Sequence, residues 1–166
     1  MRQQGSEDRD SRERELQQLL VDAIPRFVAE SIENRLKDID GSPIYEEPLV
    51  GFADGDDPLF GEYKQIIGGF HLLPREALLR HMRETTEGEP EEIPHVGVIS
   101  WILPVAEATK LSNREMTEGP SLRWNHTRWH GEAFNELLRQ YVVSLLHQHG
   151  YDAVAPALAP FFQIMD

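Results

Sequence analysis

The chain has 166 residues, no cysteine and a formal net charge of −13, from 16 Lys plus Arg against 29 Asp plus Glu. That length builds one domain with a real core and has no room for a second full one. The absence of thiolates excludes disulfides, thiolate zinc sites and cysteine-ligated iron–sulfur clusters within these residues, and the acidic balance argues against sequence-independent contact with nucleic acid or an anionic membrane. No apolar run approaches the ~20 residues of a membrane span, and the N-terminal residues lack the apolar segment of a secretory signal. A cytoplasmic chain is expected.

In chain order, residues 1–12 (MRQQGSEDRDSR) are polar and mixed in charge, which predicts a flexible N-terminal extension ahead of a domain spanning 13–166. A helix follows, with Leu16, Leu20, Ala23 and Phe27 in one stripe and Val21, Ile24, Val28 and Ile32 in another. Pro25 predicts a kink or a fresh start, with Asp22 able to cap it. Residues 41–43 (GSP) end this region, residues 48–53 (PLVGFA) read as a short buried strand, and residues 54–58 (DGDDP) as a tight acidic turn. Short helices are predicted over 59–67 and 74–83. Residues 85–92 (TTEGEPEE) read as a solvated acidic connection.

Residues 95–105 (HVGVISWILPV) are apolar on both parities, as expected of a central strand covered on both faces. From Phe134 the positions Leu137, Leu138, Tyr141, Val142, Leu145 and Leu146 form a helical stripe, and Gly150 stands where a left-handed cap is wanted. Residues 151–158 (YDAVAPAL) then read as a second strand. Strand, helix and strand predict a parallel, right-handed βαβ unit over about 96–158, and the fold class expected is a single α/β domain with a mainly parallel central sheet flanked by helices.

The connection between that strand and helix, residues 106–123, exceeds the usual two to six residues of a βα loop. It follows the carboxyl end of the expected central strand, where open α/β sheets bind ligands. Arg114 and Arg128 are expected to converge there on one anion pocket, with Glu107, Glu132 or a bound anion between them. Residues 54–57 offer clustered carboxylates, but lack the oxygen spacing of a calcium loop and suit a turn that caps a helix. His126 and His130 stand four apart, a spacing compatible with two metal ligands on one helical face. The sequence H-T-R-W-H lacks the metalloprotease glutamate, and no metal site is assigned. His147 and His149 suit a helix C-terminus. Trp124 and Trp129 can stack on a flat ligand or pack as a lid. Nucleotide-binding glycine motifs and a nucleophile elbow are absent.

Several segments taken together, GFADGDDPLF (51–60), HLLPREAL (71–78), SWILPV (100–105), SNRE (112–115), PSLRWNHTRWHGEAFNELLRQYVV (120–143) and GYDAVAPALAPFF (150–162), resemble the amino-terminal part of the epoxyqueuosine reductase-like iron–sulfur proteins over roughly residues 45–162. The family is related in architecture to the corrinoid-dependent reductive dehalogenases. The resemblance implies an N-terminal α/β domain of an oxidoreductase that faces a corrinoid, with 4Fe-4S clusters confined to a downstream ferredoxin-like domain or partner chain. By this reading Asn113, Arg114, Trp124, His126, Arg128 and His130 line the cofactor or substrate site, and the chain is inactive alone. The alternative is a non-catalytic α/β binding or protein-interaction module whose long loop meets a small molecule or a partner.

Overall fold

Polar N-terminal residues do not prevent helix here. In the computed structural model, which describes residues 2–85, 93 and 95–163 and side chains from residue 11 onward, α1 (Arg2–Glu30) runs through the segment read as an extension and past Pro25 without restarting. Its buried side chains, Leu20, Ala23, Ile24 and Val28, follow a three-and-four spacing. Val21 and Ile32, placed on a second stripe by the sequence, are exposed.

The expected α/β architecture does not form. The structure is 55 % helical, and among the described residues its sheet has two antiparallel strands, β1 (Leu49–Asp54) and β2 (Gly97–Ile102). The reversal is visible in the pairing, since Tyr45 bridges Val105 and the Gly55 N–H donates to the Val96 carbonyl. Residues 95–105 therefore supply an edge strand, with Ile102 63 % exposed. The second parallel strand fails for a local reason. Pro156 and Pro160 lack the N–H that a ladder requires, and residues 151–155 are irregular before a short 3₁₀ turn, Pro156–Leu158.

Two further helices, α2 (Pro58–Ile67) and α3 (Pro74–Thr85), match the sequence reading closely. The acidic turn has a structural account. Asp57 caps α2 by accepting the Leu59 N–H at 2.8 Å, Asp54 accepts the Asp56 N–H, and Asp56 is ion-paired with Arg75. Lys64 of α2 reaches Glu76 of α3 at 2.7 Å. Residues 86–92, most of the expected acidic connection, lie outside the described residues.

The long connection contains α4 (Glu107–Arg114). Its sequence is rich in helix formers, and the Glu46 carboxylate accepts the Glu107 N–H at 2.7 Å, satisfying one of the amides that a helix start leaves free. Then comes α5 (Leu122–Gln148), capped by Ser121, whose hydroxyl accepts the Trp124 N–H. Thr127, Phe134, Leu138, Val142 and Leu146 form its buried line, and Leu137 is 38 % exposed. Gly150, at φ +80°, closes the helix as predicted, with the Tyr151 N–H returning to the Leu146 carbonyl. His149 accordingly contacts the Leu145 carbonyl at 2.9 Å.

By its internal contacts the chain divides into two units, residues 1–50 with 101–138 and residues 51–100 with 139–166. The first holds the aromatic stack in which Phe134 lies 6.0 Å from Phe27 and 5.9 Å from Tyr45, centroid to centroid. Gly131 belongs to this contact. A Cβ at that position would stand 2.2 Å from the Tyr45 hydroxyl and 3.0 Å from the ring carbon that bears it. Helix propensity favours alanine there by about 1 kcal/mol, whereas overpacking costs about 1–3 kcal/mol. Gly131→Ala is therefore expected to lower the thermal midpoint, and adding Tyr45→Phe to recover part of the loss. A midpoint raised by Gly131→Ala alone refutes this account.

Candidate metal centre

The segment joining α1 to β1, residues 31–48, is an irregular stretch held in one shape by buried hydrogen bonds. Asn34 is 1 % exposed and anchors it, donating to the carbonyls of Val28 and Tyr45 and accepting the Tyr45 N–H, each at 2.9 Å. Two residues on, the buried Leu36 carbonyl accepts N–H groups from Ile39, Asp40 and Gly41, and the Leu36 N–H donates to Ser42. Gly41 supplies the φ of +71° that this tight return needs. Arg123, at the start of α5, closes the loop from outside. It pairs with Asp40 and donates to the Ser42 hydroxyl, both at 2.6 Å.

The Arg123 guanidinium, helped by Ser42, holds the Asp40 carboxyl well below the usual carboxylate range. For a carboxyl depressed on folding, the stabilisation is full above its unfolded value and is lost as pH falls through the folded one. The clamp is therefore closed at neutral pH. Its consequence is positional, because the clamped turn also carries Asp38.

Asp38 meets His126 and His130 of α5. The four-residue spacing sets the two imidazoles side by side, with centroids 4.2 Å apart and planes inclined by 35°. Taking one ligand atom from each of the three residues, all lie within 4.8 Å of one another. Donors at about 2.0–2.1 Å around a tetrahedral ion stand about 3.3 Å apart, so rotamer adjustments of about an ångström close the set. Asp38 and His130 are exposed and His126 half-buried, so such adjustments meet little packing resistance. The three groups line a cavity of about 110 Å³ together with Glu33, Arg35 and Lys37. Two imidazoles and one carboxylate form a borderline donor set, suited to zinc and its first-row neighbours over calcium or magnesium.

The six residues assigned to the site from sequence are thus divided. His126 and His130 come together with Asp38. Asn113 is engaged in structure, its Oδ1 accepting the Ser121 N–H at 2.9 Å. Trp124 is half-buried in the first turn of α5. Arg114 ends α4 and Arg128 lies on α5, both exposed, and neither lines the cavity at the histidines or the larger one of about 490 Å³ bordered by Pro25, Asn34 and Tyr45. The arginine pocket is expected at the carboxyl end of a parallel sheet, and that sheet does not form. One of its two proposed carboxylates, Glu107, pairs with Lys110 at 2.6 Å, and this contact first, then the Arg114 charge, holds its carboxyl below the ordinary value.

Sequence reasoning missed Asp38 and Arg35. No local motif joins Asp38 to two histidines on the last long helix. The i, i+4 histidine pair was the legible half of the set.

Comparison with models of known families, with curated proteins and with solved structures finds no match to this chain.

Proposed function

We propose that this chain is a divalent-metal-binding protein carrying one first-row transition ion, of which zinc is the reference, on Asp38, His126 and His130. The observation that supports the reading is the approach of three donor atoms to within 4.8 Å from two segments far apart in sequence. Three protein ligands leave a fourth position of a tetrahedral ion open. With Asp38 and His130 exposed, that position faces solvent and can take water or an exchangeable ligand. This is the arrangement of reactive sites, in contrast to the closed four-ligand sites that only support folds.

The reductase role implied by the family resemblance requires a corrinoid and clusters ligated outside these residues, because no thiolate is available here. The metal reading requires only groups that the chain supplies. The test is a calorimetric titration of Zn²⁺ and Co²⁺ into the chelator-treated chain. One ion per chain is expected, with at least about tenfold weaker binding in Asp38→Ala and in His130→Ala, since each removes a ligand. Stoichiometric binding that is unchanged in the His126→Ala, His130→Ala double variant overturns the proposal.

A further inference from the structure

The groups around the donor set bear on what the open position takes. Four charged side chains line the cavity with the two histidines, namely Glu33, Arg35, Lys37 and Asp38. Two carboxylates and two cations cancel, so with neutral imidazoles a bound divalent ion leaves the site with a net charge of about +2. A dianion neutralises that charge, whereas water does not. Both cations belong to the wall of this cavity. Arg35 is half-buried and borders the larger cavity as well, where its guanidinium gives one of its five N–H donors to the Ala29 carbonyl at 2.9 Å. Lys37 is held at 2.7 Å by Glu33 on the same cavity wall.

Size narrows the class. At about 110 Å³ the cavity is far below the ~300 Å³ at which pockets bury drug-sized ligands. That size suits a small ligand such as a single tetrahedral oxyanion.

Building on the metal reading above, we propose that the metal-loaded chain binds a small dianionic oxyanion of the phosphate type. One oxygen occupies the open metal position, and the others accept from Arg35 and Lys37. Charge-assisted hydrogen bonds of this kind, and bidentate ones from arginine above all, are the strong contacts by which proteins hold phosphate.

The experiment uses the Co²⁺-loaded full chain in a non-coordinating buffer, with inorganic phosphate as the probe and the visible cobalt bands as the readout. A saturable spectral change is expected with phosphate, and much weaker binding with acetate, which carries one charge. Lys37→Gln and Arg35→Gln should each weaken phosphate binding by about tenfold, the scale of one charged hydrogen bond, with cobalt affinity retained. Glu33→Gln, which releases Lys37, should tighten it. Lys37 is exposed, so its variant tests the idea even if Arg35→Gln folds poorly. If cobalt binds in all variants while phosphate leaves the bands unchanged, or shifts them equally in Lys37→Gln and Glu33→Gln, the oxyanion inference falls and the metal reading stands. If cobalt does not bind the unaltered chain, both fall.

Discussion

Zinc at a hundredfold excess over its dissociation constant is expected to raise the thermal midpoint of this chain by about 5–11 °C. A ligand that binds only the folded state at that excess adds about 2.7 kcal/mol. In a domain of this length each kcal/mol moves the midpoint by about 2–4 °C. The seven histidines of the unfolded chain also bind zinc and offset part of the gain, so the lower half of the range is the working expectation. His130→Ala should abolish most of the shift while leaving the metal-free midpoint nearly unchanged, because substitution at an exposed helical position costs within about 0.5 kcal/mol. The shift should also shrink as pH falls, since protons compete with the ion for imidazole and carboxylate. Differential scanning calorimetry with and without a chelator measures all three. Equal zinc shifts in the unaltered chain and in His130→Ala would locate the bound ion elsewhere.

The parts of this fold that follow from short-range rules were legible. The stripe from Phe134 to Leu146, the αL glycine at 150 and the Asp57 cap are each decided within a few residues, and the structure carries all three. Elements decided by backbone donors or by distant partners are not legible in this way. In residues 151–158 the apolar pattern suited a strand, but Pro156, with Pro160 just beyond, removed backbone donors, a stronger constraint than the pattern. In residues 106–114 the start of α4 is satisfied by Glu46, a residue 61 positions before Glu107, which no local window reveals. The candidate centre divides in the same way. His126 and His130 share a face by helical period alone, whereas Asp38 reaches them because Arg123 clamps Asp40 and Ser42. That clamp is a tertiary contact with no signature in spacing.

The Asn34→Ala substitution is expected to destabilise the chain by about 3 kcal/mol or more and to lower the midpoint by about 6–12 °C. At 1 % exposure the amide makes three side-chain hydrogen bonds. Truncation leaves the Tyr45 N–H and carbonyl and the Val28 carbonyl without that partner. Each buried group left unsatisfied costs about 1–3 kcal/mol, and water entering the small cavity recovers only part. Asn34→Asp distinguishes this cause from mere loss of volume. The aspartate keeps the acceptor for the Tyr45 N–H but turns a carboxylate oxygen toward two carbonyls, so it should be no better than alanine at neutral pH and should improve as acid protonates it. The metal provides a second readout. Asp38 lies four residues beyond Asn34 in the same anchored segment, so loosening the anchor should weaken zinc binding as well, even though Asn34 is no ligand. Chemical unfolding with parallel zinc titration decides the matter. A loss below about 1 kcal/mol, or Asn34→Asp equal to the unaltered chain at neutral pH, would show that the segment is held by its backbone bonds and by Arg123 instead.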